Sequence, residues 1–335
     1  MFKLKIVEYS IGYKKIHQEF TKKNWGKEKR GDPRYLQYKH RSENPNVIKN
    51  LIIAIFEDKV IGQIGLIPTD LMFKTKKLPC YWICDLMVES EYRKKGVAIE
   101  LYKYVMKRNI LLMGSYPSPK AELLDRLLKF KKIVGPNIWY FPVNFNSLLK
   151  FKYQRSFKYL PNFFLRIAEK LYLFFFDIKI TLFSNIKFQG WEELLEIHDK
   201  FQAEIKEPRI IHDKKFLDWR GNGLKGYSKK LKGLKRKDDS YLFFEEASDC
   251  LYVYDWKIKN QKVAKDLCSQ LVSISIEYKK NRIQLTTNNI EQEKILERIG
   301  FRKFNNPITL YYYTLNPDYV MDSFHFTLYD SDGNL

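Results

Sequence analysis

The sequence predicts an α/β protein built as two related domains. Three observations lead there: strand-like and helix-like segments alternate through the first half, the same order returns more faintly in the second, and 335 residues exceed one typical domain. Lys3 to Tyr9 alternates as a strand does, and Gly12 to Lys23 has the spacing of a short helix. Leu51 to Phe56 is a continuous apolar run, as in a buried strand, closed by the turn residues Glu57-Asp58-Lys59. Val60 to Pro68 and Leu71 to Phe73 read as further strand, Lys74 to Pro79 as a turn, and Tyr81 to Val88 as the next strand. From Val97 the apolar positions Val97, Leu101, Tyr104 and Val105 recur at helical spacing. A short strand from Ile110 to Met113, a Gly-Ser-Tyr-Pro-Ser-Pro loop and a helix starting at Ala121 complete the half.

The repetition rests on a short match. Asp32-Pro-Arg-Tyr35-Leu36-Gln-Tyr38-Lys39 has a counterpart in Asp213-Lys-Lys-Phe216-Leu217-Asp-Trp219-Arg220, each an acid leading into an aromatic-leucine pair, an aromatic and a base. Strands then follow at Tyr241 to Phe244 and Cys250 to Ile258, a helix at Gln261 to Lys279, a strand at Arg282 to Thr287 and a helix at Ile290 to Ile299. The expected division is residues 1–150, a connector over 151–183 and a second domain over 184–335. The ending, Phe324 to Asp332, reads as an apolar strand with an acidic close.

Aromatic residues make up 16% of the chain and apolar residues 45%, far from the composition of a disordered protein. Cys80, Cys84, Cys250 and Cys268 are scattered and none lies in a paired C-x-x-C spacing, so neither a disulfide framework nor a zinc site is expected. Reduced thiols and the lack of an apolar core in the first residues point to a cytoplasmic protein. The formal net charge of +21 favours acidic partners without naming one: nucleic acid, anionic lipid and nucleotide phosphates all fit. Charged residues interrupt the hydrophobic stretch Leu160 to Phe183, which excludes a transmembrane helix. It reads as an amphipathic connector packed on both domains, or as a helix lying on an anionic membrane face.

Chemistry concentrates between Asp85 and Ala98, which runs from strand through loop to helix. A helix start presents unpaired backbone N–H groups and the positive end of the dipole, so a pyrophosphate sits well there. Gly96 admits the phosphates without a Cβ, Ala98 keeps the helix close, and Arg93, Lys94 and Lys95 add positive charge. Arg93-Lys-Lys-Gly96-Val-Ala98, preceded by Tyr92 and by Leu86-Met87-Val88 on the strand, resembles the fingerprint of the GNAT acyltransferase family, Arg/Gln-x-x-Gly-x-Gly/Ala after an apolar strand.

The resemblance implies a fold of two GNAT-like domains, each a mixed, mostly antiparallel sheet flanked by helices. It implies that Arg93, Lys94, Lys95, Gly96, Val97 and Ala98 hold the pyrophosphate of an acyl-CoA, most simply acetyl-CoA. Leu86, Met87 and Val88 would bond the pantetheine arm, with an N–H near Met87 or Val88 at the oxyanion. A primary amine on a small-molecule or carbohydrate acceptor would then attack the thioester directly. Two catalytic candidates follow. Asp85 is the only acid inside the strand, in a catalytic or a structural role, and Tyr116 could protonate the departing thiolate. The family's usual tyrosine, in a pattern Asn-x-x-Ala-x-x-Leu-Tyr, is missing, because Ser118, Ala121, Leu124 and Asp125 occupy those places.

The second half has the family's closing pattern, Asn289 to Gly300-Phe301, but lacks the CoA loop, since Asn260-Gln-Lys-Val-Ala-Lys contains no glycine. It reads as a degenerate copy that shapes the acceptor site or braces the first. His17, His40, His198, His212 and His325 lie far apart in sequence and read as surface or satisfied polar residues, and no metal is expected. Two other readings stand beside the enzyme: a non-catalytic acyl-CoA sensor or scaffold, and a basic protein of nucleic acid or membrane surfaces.

Overall fold

The runs that read as strands pair into two sheets. The computed structural model describes residues 4–26, 28–143, 162–176, 178–179, 185–222, 224, 231–304 and 307–330. In the first sheet β1 (Lys5–Ser10), β2 (Val47–Phe56), β3 (Lys59–Phe73) and β4 (Lys76–Val88) form an antiparallel meander, and β5 (Leu111–Ser115) adds in parallel to β4. Ile52, Ile53 and Ala54 have no solvent exposure because β2 is covered on both faces, which is why their run does not alternate. Val60 to Phe73 is one strand rather than two, and the turn expected over 74–79 shrinks to Lys74-Thr75, with Lys74 in the left-handed region at φ 55°. Helices α1 (Lys14–Trp25) and α2 (Pro33–Lys39) cover one face, and α3 (Val97–Met106) the other.

The next helix, α4 (Pro119–Leu127), leads to two short strands, β6 (Lys131–Val134) and β7 (Asn137–Pro142). Only β6 stays in the first sheet. Strand β7 crosses into the second, where it pairs with β12 (Arg282–Thr287). In return β14 (Thr309–Tyr313), near the end of the chain, enters the first sheet between β5 and β6. The two-residue strand β8 (Arg209–Ile210) also joins the first sheet, beside β3. The sheets therefore exchange strands across the expected boundaries at 150 and 184.

The second unit repeats the layout of the first. After α5 (Asn162–Phe175) come α6 (Trp191–Glu204), α7 (Lys214–Asn222), β9 (Lys232–Lys235), β10 (Tyr241–Glu246), β11 (Cys250–Lys257), α8 (Gln261–Glu277), β12, α9 (Ile290–Arg298) and β13 (Arg302–Lys303). Asp32 and Asp213 do the same work, each accepting a hydrogen bond from a backbone N–H in the first turn of its helix. Tyr38 and Trp219, 181 residues apart, meet across the junction of the units. The Trp219 indole donates to the Tyr38 carbonyl at 2.8 Å, and the Tyr38 hydroxyl to the Trp219 carbonyl at 3.2 Å. The same offset relates His17 to His198, both fully buried on the first long helix of their unit. A shared core that includes Trp82, Met113, Leu194, Tyr241 and Phe243 fuses the two halves. The ending is not a strand: His325 makes a single bridge to Arg209, and Leu328–Asp330 is a 3-10 turn.

Candidate functional site

Strands β4 and β5 pair only at Cys80–Leu111, Tyr81–Leu112 and Trp82–Met113, and then part. A bulge opposite Gln63 to Gly65 turns β4 away, with Asp85 in the left-handed region at φ 50°. The opening is a cleft of about 240 Å³ whose walls include Ile83, Asp85, Leu86, Gly114, Tyr116 and Asp125. From Ile83 onward the β5-facing edge of β4 has no ladder partner, and Leu86 to Val88 lie on that edge.

Beyond β4, the Arg93 guanidinium donates to the Val88 carbonyl at 3.0 Å, which folds the loop back on the strand. Tyr92 packs on Phe56, and the Lys95 ammonium lies 4.9 Å over the Tyr92 ring. Gly96 is the N-cap of α3 at φ 81°, where no side chain caps the helix, and a Cβ built on it would meet no protein atom within 4 Å. An uncapped helix start behind an open glycine suits an anion. Val97 is buried against the sheet, while Lys94 and Lys95 are exposed. The predicted CoA residues therefore form one continuous path from strand edge to helix start.

Asp85 lines this cleft but is held by two cations. Lys39, whose side chain is 1% exposed, approaches Oδ2 at 2.7 Å, and Arg30 binds Oδ1. Burial alone would raise this carboxyl, but Lys39 and then Arg30 outweigh it and bring the pKa to about 2. Such a carboxylate is a poor proton acceptor, and of its two sequence readings the geometry favours the structural one. Tyr116 stands at the mouth of the cleft, 47% exposed, with its backbone at φ 51° and its N–H bonded to the Thr309 carbonyl. The exchanged strand β14 thus sets its position. Its hydroxyl pKa is raised, by burial and then by Tyr252.

The group that sequence reasoning passed over is Asp125. It occupies the place of the family's tyrosine, is 5% exposed, lines the cleft and accepts a hydrogen bond from the Tyr102 hydroxyl at 2.9 Å. Burial raises its pKa to about 6, against the opposing Tyr102 bond. Its position in the pattern was the available signal, but its depth depends on Tyr102 and Phe130 folding around it.

The corresponding opening in the second unit is filled. Strands β11 and β12 also pair in parallel only as far as Tyr252–Gln284, and Trp256 follows Asp255 as Leu86 follows Asp85. The Trp256 indole crosses the gap and donates to the Thr286 carbonyl at 3.2 Å. Asn260 caps α8 by accepting from Val263 N–H, which occupies the helix start. His17, His40, His198 and His212 are buried and His325 is half-buried, and His198 and His212, distant in sequence, converge. His198 Nε2 lies 3.0 Å from Asp255 and His212 Nε2 2.8 Å from Asp330, so a buried carboxylate faces each imidazole. All four cysteines are buried, and none is in a disulfide.

Residues 17–109 match the family model of the acetyltransferase (GNAT) domain. Among solved structures, the chain resembles a GCN5-related N-acetyltransferase from Kribbella flavida at 11% identity, with a TM-score of 0.58 over 92% of this chain and 71% of that one. It resembles N-myristoyltransferase of Saccharomyces cerevisiae, solved with bound myristoyl-CoA, at 14% identity and a TM-score of 0.62, over 96% of this chain and 83% of that one. A GCN5-related N-acetyltransferase from Anabaena variabilis is similar at 13% identity and 0.57, over 92% and 72%. No curated protein sequence matches the chain. Identities this low speak to fold, and the family model speaks to the segment around the cleft. Residues 17–109 thus match a GNAT domain, and the chain as a whole shares the fold of solved GNAT N-acetyltransferases and of N-myristoyltransferase, built as two similar units.

Proposed function

We propose that this protein transfers an acyl group, most simply acetyl, from acyl-CoA to a primary amine of a small-molecule or carbohydrate acceptor. The observation that carries the reading is the continuity of the cleft between β4 and β5 with the open, uncapped helix start at Gly96. The pyrophosphate lies on the backbone of Arg93 to Ala98, with Lys94 and Lys95 adding charge. The pantetheine arm bonds the free edge at Leu86 to Val88 and delivers the thioester to the cleft between Asp125 and Tyr116.

The amine attacks the thioester carbonyl, and a backbone N–H of β4 near Met87 or Val88 stabilises the oxyanion. Asp125, ionised above about pH 6, takes the proton released by the amine, directly or through water. The Tyr116 hydroxyl gives a proton to the CoA thiolate as the tetrahedral intermediate collapses. Asp85 tethers Arg30 and Lys39 to the bulged strand and keeps the cleft open, while the second unit closes it through Thr309 and β14.

The test is release of free CoA from acetyl-CoA and longer acyl-CoAs across a panel of amines and amino sugars. Amine-dependent release supports transfer. Acyl-CoA binding by thermal shift without release from any amine would assign the cleft to a non-catalytic sensor, and no shift with any acyl-CoA would remove the cofactor itself.

A further inference from the structure

Helix α5 turns its apolar face outward. Its inner side is anchored: Leu173 is 6% exposed and packs into the core of the second unit, and the Tyr172 hydroxyl donates to the Gly300 carbonyl at 2.7 Å. Tyr172 also packs on Phe141, with ring centroids 5.6 Å apart. On the other side Ile167, Leu171, Phe174 and Phe175 are 40%, 61%, 83% and 78% exposed. At 100° per residue these four fall within a stripe about 100° wide, the width that a surface helix ordinarily buries. Large apolar side chains gathered on one exposed face mark an interaction surface.

Charge identifies what covers it. Lys170 on the helix and Lys179 just beyond it are exposed, within a chain of net charge +21. A second copy would bring the same positive charge to its partner, whereas an anionic lipid surface complements it. Exposed phenylalanines beside lysines are the pairing that interfacial helices use. Among the described residues no helix is long and apolar enough to cross a membrane, so the contact lies in the plane of the bilayer surface.

We propose that α5 docks the protein on an anionic lipid bilayer, with Leu171, Phe174 and Phe175 entering the boundary between head groups and acyl chains. The docking face is separate from the cleft and stands independently of the acyl-transfer reading. The test is co-sedimentation with vesicles of phosphatidylcholine and phosphatidylglycerol, with phosphatidylcholine vesicles as the comparison. The full-length protein binds the mixed vesicles, and added salt weakens binding. Replacing Phe174 and Phe175 by Ser lowers the partition coefficient at least tenfold, about the loss expected from one buried phenylalanine ring. Both rings are exposed, so the melting temperature of the variant stays that of the parent, and this is measured alongside. The proposal is overturned if the parent binds neither vesicle, if it binds both equally, or if the variant binds as the parent does. It is also overturned if light scattering finds a dimer that the two substitutions dissociate.

Discussion

Replacing Lys39 by Met tests the account of Asp85. Lys39 lies on α2 with its side chain 1% exposed, and its ammonium sits 2.7 Å from a carboxylate that is itself 9% exposed. Methionine keeps most of the apolar stem and removes the charge, leaving Asp85 to Arg30 alone. At about 1.4 kcal/mol for each tenfold change in proton affinity, the fall of the Asp85 pKa from 3.8 to about 2 represents roughly 2 kcal/mol of net stabilisation by both cations, after burial has opposed them. Breaking a buried pair from one side costs more than its net value, about 3–5 kcal/mol, because the remaining charge stays buried. Retention of Arg30 places the expected loss near 3 kcal/mol. Urea unfolding followed by circular dichroism measures it. The sign of the pH dependence adds a second reading: a depressed carboxyl contributes stability above pH 3.8 and loses it as the pH falls toward 2. In the variant that contribution is largely gone, so the gap between parent and variant narrows as the pH falls below about 4. A loss under about 1 kcal/mol at neutral pH, or a gap that widens on acidification, refutes the reasoning.

Two further outcomes follow for the first unit. If Asp125 accepts the proton of the amine, turnover rises with pH through about 6 and Asp125→Asn abolishes that limb, with at least a hundredfold loss of rate at neutral pH, in line with roughly 10²–10⁴ for general acid–base catalysis; a rate that falls as the pH rises through 6 assigns Asp125 as the acid instead. His17 and His40 are both held neutral, their pKa values lowered to about 4 chiefly by burial, so their contribution is complete above pH 6.5 and is lost as the pH falls through 6.5 toward 4. By pH 5 each costs the first unit roughly 2 kcal/mol, and amide hydrogen exchange of β2 and β3 should speed up accordingly; unchanged protection between pH 7 and pH 5 contradicts the assignment.

The strand, loop and helix of the proposed cofactor segment were legible because everything that defines them is contiguous. An apolar strand, a basic loop, a glycine and an amphipathic helix fall within Asp85 to Met106, so local periodicity and the glycine between strand and helix suffice to place them. The duplication was legible for a similar reason, since Asp32 and Asp213 each open a short helix whose aromatic residues must meet across the same junction. The exchange of β7 and β14 was not legible. Each is a short apolar run that pairs as well with one sheet as with another, and the choice is made by the shared core. The partners of Asp85 are likewise 46 and 55 residues away in sequence, on segments that nothing local connects to β4. The filled cleft of the second unit was half visible: the missing glycine could be read, whereas the Trp256 indole bridging to Thr286 needed the fold.

The central claim is that the opening at Gly96, and not its counterpart at Asn260, holds acyl-CoA. Calorimetric titration with acetyl-CoA of the parent, Gly96→Glu and Asn260→Ala tests it directly. A glutamate at φ 81° adds strain and places a carboxylate where the pyrophosphate lies, yet its Cβ meets no protein atom within 4 Å, so the fold persists while binding is lost. Asn260→Ala removes only a helix cap worth about 1 kcal/mol of stability and leaves the dissociation constant within about threefold. Normal binding by a folded Gly96→Glu protein, or loss of binding in the Asn260 variant, would contradict the account.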